Sequence, residues 1–276
     1  MARPLAIPLR RSRFALALLL AVLGSRATDG EPDVLVTAIV DPARLTVQER
    51  PFAFSVDPTT PSQGVWSAGY SFGVGSGISA DRPLPVSLGS ASGSSTFSMA
   101  LGATDRLAPF ISATIADAGT PAGSQSYTAG LTWQVTAPGS RLRLATSLAG
   151  LHEGRSGATG ATAVVAASLD QGPLRLIGNV RADKVFSPGR DAVDYVVSLG
   201  TAWRLGSAVR IGAEYVGQDL EETFSAGAEG GAVHAIGPTL ALDLEDGRYQ
   251  VAIGSGFGLT ARSPRVLGRM VVAVNF

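Results

Sequence analysis

The sequence contains no cysteine and only one lysine, Lys184, and its formal net charge is zero. Without cysteine the chain forms no disulfide, so a secreted form must be stabilised by its size or by closure of a sheet. Without an excess of positive charge there is no electrostatic reason to expect nucleic acid as a partner. The 276 residues leave room for one large domain.

Long apolar runs are also absent, except near the start of the chain. Four arginines between positions 3 and 13 precede the apolar run Phe14–Leu23, and the small residues Ser25 and Ala27 follow it. This order predicts a secretory signal peptide over residues 1–27, cut after Ala27. A retained membrane helix is the alternative, although the run is too short to span a bilayer.

From residue 65 onward no helical period is sustained, whereas apolar and polar residues alternate repeatedly. The alternation predicts twelve strands of about ten residues, the length that a tilted strand needs to cross a bilayer. The predicted ranges are 65–76, 94–103, 107–116, 126–137, 141–150, 160–170, 173–183, 192–204, 207–217, 232–244, 247–258 and 265–276.

The connections between these strands alternate in length along the chain. The long "ISADRPLPVSLGSASGS" is followed by the short "TDR", and the long "LHEGRSGATG" by the short "QG". Outer-membrane barrels have this alternation, with short turns in the periplasm and long loops outside the cell. The fold class is therefore predicted as all-β, a transmembrane antiparallel up-and-down barrel of about twelve strands formed by residues 65–276. Ten or fourteen strands and a soluble β-sandwich are the alternatives.

The two faces of the predicted strands differ in chemistry. Strand aromatics such as Trp66, Trp203 and Phe257 share the apolar face, while the charged residues lie on the other face. An arginine that faces lipid at mid-depth costs about 2–4 kcal/mol, so a barrel requires this segregation. Phe110 lies on the wrong face for an aromatic, which predicts a bulge near Pro109.

The chain finishes with "GRMVVAVNF", in which apolar residues occupy every second position: Met270, Val272, Val274 and Phe276. This ending resembles the last strand of Gram-negative outer-membrane β-barrel proteins. The resemblance implies that the barrel-assembly machinery reads these residues and that the strand closes the barrel against the first strand. It also implies secretion to the periplasm and a final location in the outer membrane, in contact with its lipid.

Residues 28–64 do not follow the barrel rhythm, and their exit "DPTTPSQG" is typical of a linker. They are predicted as a periplasmic segment or a small plug. One stretch, "DVLVTA", resembles the energy-coupling box of TonB-dependent receptors. That resemblance implies an inner-membrane energy-coupling protein as a partner, which would pair with the residues of the box as an added strand. These residues are Asp33, Val34, Leu35, Val36, Thr37 and Ala38.

The inward-facing positions are mostly Gly, Ala, Ser and Thr, so twelve strands leave a space that water, a solute or the N-terminal segment must occupy. Arginine rings in pores favour anions, and a basic ring is predicted at the periplasmic mouth. Alternatively, these arginines pair with the turn carboxylates Asp170, Glu245 and Asp246. The predicted ring consists of Arg141, Arg143, Arg175, Arg204, Arg210 and Arg248.

Only two histidines are present, His152 in a predicted loop and His234 at the outer end of the tenth strand. Neither has the His-x-Ser spacing of outer-membrane lipid hydrolases, and no metal or cofactor motif is present. The sequence therefore predicts a passive channel or transporter for small solutes, without a cofactor and without enzymatic activity. A structural or surface-binding barrel is the alternative, and a lipid-modifying enzyme is the third hypothesis.

Overall fold

The computed structural model describes residues 52–76, 93–116, 124–154, 157–186, 193–218, 233–260 and 263–276. The predicted signal peptide and coupling box lie outside these ranges. No helix in the described ranges is long and apolar enough to cross a membrane. The described strands are β1 (Trp66–Ser76), β2 (Ser94–Leu101), β3 (Leu107–Ala116), β4 (Ser124–Gln134), β5 (Leu142–Glu153), β6 (Thr159–Gln171), β7 (Leu174–Phe186), β8 (Asp194–Leu205), β9 (Val209–Gln218), β10 (Val233–Leu244), β11 (Tyr249–Gly258) and β12 (Val266–Asn275).

These twelve strands form one closed antiparallel barrel. Each strand pairs with the next along the chain, and β12 pairs with β1 in the register Tyr70↔Val272. At the seam the Trp66 N–H donates to the Phe276 carbonyl at 2.8 Å, and the Phe276 N–H donates to the Trp66 carbonyl at 2.9 Å. The predicted fold class and strand count are confirmed. Closure leaves no strand edge without a partner, as a wall within a bilayer requires.

Short turns join β2 to β3, β4 to β5, β6 to β7, β8 to β9 and β10 to β11, so all five lie at one end of the barrel. We call this the short-turn end; in outer-membrane barrels it faces the periplasm. In the β10–β11 turn, Glu245 and Asp246 have φ angles of 48° and 53°. Positive φ at both central residues is typical of the tight hairpin turns whose twist matches that of the flanking strands.

The outer surface of the barrel is apolar. Large side chains such as Ile111, Leu148 and Trp203 are 59%, 65% and 49% exposed and form a lipid-facing surface. Phe110 faces the lumen, because β3 keeps its alternation in a ladder with β4 that runs unbroken through Pro109↔Leu131 and Phe110↔Gly130. On the β2 side the ladder ends at Ala100↔Phe110, and the next bridge, Thr104↔Leu107, is shifted by one residue. An irregularity is therefore present near Pro109, but the extra residue lies on β2, so it does not turn Phe110 away from the lumen.

Candidate functional site

Residues 52–62, which we call the lumen segment, lie inside the barrel. Their backbone contacts inward-facing side chains of three strands: Gln134 of β4, Asn179 of β7 and Glu214 of β9. Because these strands stand on different sides of a closed barrel, the segment crosses the lumen. It then reaches β1 at the short-turn end, where the Gly64 N–H donates to the Gly102 carbonyl at 2.8 Å.

Glu214 makes the most concentrated contact with the lumen segment. Its side chain accepts hydrogen bonds from three consecutive backbone N–H groups, those of Ala53 at 2.6 Å, Phe54 at 2.9 Å and Ser55 at 2.9 Å. Glu214 is only 3% exposed. A carboxylate can be buried at tolerable cost only when such donors surround it, and hydrogen bonds to a charged group are the stronger kind. The buried N–H groups of the lumen segment and the Glu214 carboxylate therefore satisfy each other's hydrogen-bonding capacity.

Asn179 holds the next residue of the lumen segment. The Val56 N–H donates to Asn179 Oδ1 at 2.7 Å, and Asn179 Nδ2 donates to the Val56 carbonyl at 2.8 Å. The Ser198 hydroxyl also donates to Oδ1 at 2.9 Å and fixes the orientation of the amide. Asn179 thus pairs with both backbone groups of one residue, as a neighbouring strand would.

Arg175 supplies the third contact, through the carboxylate of Asp57. Arg175 Nη1 lies 3.4 Å from Asp57 Oδ2, and the Asp57 side chain is fully buried. Asp170 binds the other side of the guanidinium, accepting from Nε at 2.5 Å and from Nη2 at 2.8 Å. Arg143 also pairs with Asp170. We call Glu214, Asn179 and Arg175 the lumen clamp.

Two phenylalanine rings anchor the lumen segment beside the clamp. Phe52 is 2% exposed and packs against Ile177 and Ala202. It fits because the facing position is a glycine: a Cβ on Gly200 would lie 2.7 Å from the Phe52 ring. Phe54 packs against a second apolar cluster, which extends from β8 to other strands. The members of that cluster are Val196, Val216, Ala235, Leu267 and Val233.

The lumen segment covers the wall opposite the clamp less completely than the wall at the clamp. On β7 to β9 the inward side chains under the segment are buried, Arg175 at 5%, Asn179 at 6% and Ser198 at 6% exposure. On β2 to β5 the inward residues near the middle of the strands remain partly accessible and carry small hydroxyl groups. They are Thr96, Ser98, Ser112, Thr128, Thr132 and Ser147.

All six arginines of the predicted ring lie at the short-turn end, and several have acidic partners. Arg143 and Arg175 share Asp170, as described above. Arg210 lies 3.4 Å from Asp243, and Arg248 lies 3.6 Å from Glu245. Two of the carboxylates named in the alternative interpretation, Asp170 and Glu245, therefore make ion pairs. Arg141 and Arg204 are exposed, and Arg204 stands directly opposite Arg210 on the neighbouring strand.

The predicted assembly residues lie on the lipid-facing side of β12. Phe276 is 59% exposed. Met270 pairs with Phe72 of β1, so it shares the outward face of the first strand. Val272 and Val274 follow at alternate positions on the same face. This places the four residues together, and their recognition by an assembly machinery stays a prediction.

Both histidines face outward near the long-loop end. His152 belongs to β5 and pairs with Tyr127 and Thr159, so its predicted loop position is wrong. The His234 ring stacks on Tyr215 with ring centres 5.8 Å apart, and its Nδ1 lies 2.5 Å from the Tyr215 hydroxyl. In the part of the chain that the structure describes, no three His, Asp or Glu side chains are grouped to hold a metal ion.

No protein-family model and no curated protein matches the sequence. Several solved structures share its fold at low identity. An outer-membrane channel from Pseudomonas putida F1 is similar with a TM-score of 0.53 and 11% identity, covering 80% of this chain and 100% of that chain. The KdgM porin is similar with a TM-score of 0.51 and 8% identity, covering 76% and 98%. These similarities establish that the fold is that of outer-membrane barrel porins.

Proposed function

We propose that the protein is a passive outer-membrane channel for small solutes, narrowed by the lumen segment. The observation that supports this most directly is the uneven filling of the lumen. The segment buries the inward side chains of β7 to β9, whereas hydroxyl-bearing side chains near the middle of β2 to β5, such as Ser98, Ser112 and Thr132, remain partly accessible beside it. Water and small polar solutes would pass along this second side. The similar solved structures are named a porin and an outer-membrane channel, which agrees with the proposal.

The proposed location is the outer membrane, with the lipid-facing surface in contact with its lipid. The apolar outer surface and the barrel fold support it. Assembly through Met270, Val272, Val274 and Phe276 belongs to the same proposal. The channel would act without a cofactor and without enzymatic activity.

Anion preference would be weak. Asp170, Asp243 and Glu245 pair with Arg143, Arg175, Arg210 and Arg248, so much of the positive charge at the short-turn end is compensated locally. Arg141 and Arg204, which are exposed, would contribute most of the remaining positive potential.

The channel proposal is tested by placing a large side chain in the lumen on the accessible side, beside β2 to β5. Ser112→Trp places a bulky ring in the lumen at the middle of β3, and Ala113→Trp, one residue further, places the same ring on the lipid-facing side. We expect single-channel conductance in planar bilayers to fall by more than half in Ser112→Trp and to be unchanged in Ala113→Trp.

A wild-type barrel that is folded and heat-modifiable on gels but does not conduct would refute the channel. It would favour the structural or surface-binding barrel instead. Equal conductance in both tryptophan variants would place the solute path elsewhere in the lumen.

A further inference from the structure

The lumen clamp contacts three different chemical groups in a fixed order along the chain. Glu214 accepts the N–H groups of residues 53–55, Asn179 binds both backbone groups of Val56, and Arg175 binds the Asp57 carboxylate. From the N-terminal to the C-terminal side, the clamp thus binds hydrogen-bond donors, then a peptide backbone, then a carboxylate.

A short peptide with free ends carries the same groups in the same order. We propose that the lumen clamp is the solute-binding site of the channel and that its solute is a peptide of three or four residues. Residues 53–57 occupy the site as a covalently attached substitute for that solute. This inference rests on the proposed channel function and names the class of solute.

Glu214 would receive the peptide's terminal ammonium group. A buried carboxylate that already accepts three donors offers an ammonium group three hydrogen bonds and the opposite charge. Asn179 would pair with one internal residue of the peptide, as it now pairs with Val56.

Arg175 would receive the terminal carboxylate. Asp170 accepts from Nε and Nη2, while Nη1 faces Asp57, so an incoming carboxylate that replaces Asp57 leaves the Asp170 contact in place. An extended chain spans about 3.3–3.6 Å per residue, so residues 54–57 set the length of a tri- or tetrapeptide.

A free peptide must compete with the lumen segment. A segment tethered by a short linker has an effective concentration in the millimolar range, so the peptide acts at millimolar concentration or after the segment is weakened. Phe52→Ala weakens it selectively, because Phe52 packs against Ile177 and Ala202 and is not part of the clamp.

The experiment measures how far trialanine, N-acetyl-trialanine and trialanine amide lower the ion current through Phe52→Ala channels, because a bound peptide takes the place of the weakened lumen segment and returns the current towards the wild-type level. Each modified peptide lacks one charged end. Because a hydrogen bond to a charged group contributes about 1.5–3 kcal/mol, the half-blocking concentration of trialanine should be about tenfold or more below that of either modified peptide.

Glu214→Gln, added to Phe52→Ala, assigns the ammonium end. It keeps the shape of the side chain and removes its charge, so trialanine and N-acetyl-trialanine should then block almost equally, while the amide remains weaker. Asp183→Asn is the matched control: Asp183 is also inward and buried, but pairs with Arg181 on its own strand. It should leave unchanged the preference for a free ammonium end and the preference for a free carboxylate end.

Equal block by all three peptides in a conducting channel would overturn the peptide assignment and leave the channel standing. Loss of both preferences in Asp183→Asn as well would overturn the assignment to Glu214. If no variant conducts, the channel proposal fails, and calorimetric titration of the same peptides into detergent-solubilised Phe52→Ala decides the binding site alone. Absence of binding heat from trialanine would then overturn it.

Discussion

The two sides of the lumen differ although their strands follow the same alternation. On β7 to β9 the inward face carries a buried carboxylate, amide and guanidinium, each bonded to the lumen segment. On β2 to β5 it carries hydroxyl groups that pair with one another, as Thr96 with Thr114 at 2.9 Å and Thr132 with Ser147 at 2.8 Å. The charged and amide groups are covered by the lumen segment, whereas hydroxyl groups such as those of Thr96, Thr132 and Ser147 remain partly accessible.

The two sides of the barrel wall therefore suit two roles: one holds the lumen segment, and the other borders the proposed solute path. Burying a charge is costly unless donors surround it, so Glu214 marks the side that is built to hold a chain. Hydroxyl groups that satisfy each other hold no partner firmly, which suits a surface past which solutes diffuse. Glu214→Ala and Gly200→Val weaken the holding side, and Arg204→Gln changes a charge at the mouth of the barrel.

The largest effect is expected from Glu214→Ala. It removes the acceptor of three N–H groups, and each buried donor left without a partner costs about 1–3 kcal/mol. The lumen segment should leave the wall, and conductance should rise severalfold. The chain has no cysteine, and Ala53 is only 3% exposed. The rate at which an Ala53→Cys thiol reacts with a water-soluble maleimide therefore shows whether the lumen segment has left the wall.

We expect labelling of the Ala53→Cys site to be slow in the otherwise wild-type barrel and fast in the Glu214→Ala background. Asp183→Asn again serves as the control and should change neither conductance nor labelling. Slow labelling in the Glu214→Ala background, with conductance unchanged, would show that Glu214 does not hold the segment.

A smaller effect is expected from Gly200→Val. Its Cβ would lie 2.7 Å from the Phe52 ring and 2.9 Å from Ile177, so the ring must move. Overpacking of this kind costs about 1–3 kcal/mol, and the clamp itself stays intact. Conductance and labelling of the Ala53→Cys site should rise less than in Glu214→Ala. Gly150→Val, where an added Cβ meets nothing within 4 Å, should behave like wild type.

Sequence alternation was sufficient to predict the barrel because its signal is local. The period of two, the alternation of loop lengths and the apolar ending at Phe276 each depend on neighbouring residues, and together they gave the strand count that the structure shows. The inward position of Phe110 follows the alternation of β3 itself, whose ladder with β4 is unbroken, while the register shift near Pro109 lies on β2. Local sequence does not show on which strand of a pair the extra residue stands.

The clamp could not be predicted because its contacts are remote in sequence. Ala53 and Glu214 are 161 residues apart, and Val56 and Asn179 are 123 apart. The alternation did place Glu214 inward, among small and apolar residues. An isolated glutamate in such a strand is a usable signal, since a buried carboxylate requires donors. Nothing local indicates that residues 53–55 provide them.

The smallest effect is expected from Arg204→Gln. Half of the predicted ring, Arg175, Arg204 and Arg210, lies on β7 to β9, whereas solutes are proposed to pass along β2 to β5. Arg204 is exposed and stands opposite Arg210, so its charge contributes to the potential at the mouth. Its removal should shift the reversal potential in a salt gradient slightly towards cations. The shift should be measurable near 0.01 M salt, where the Debye length is about 30 Å, and vanish near 1 M, where it is about 3 Å.

Arg106→Gln, which changes an exposed arginine of the β2–β3 turn, is the comparison. A shift of equal size from Arg106→Gln would mean that the ion path does not distinguish the two sides of the mouth.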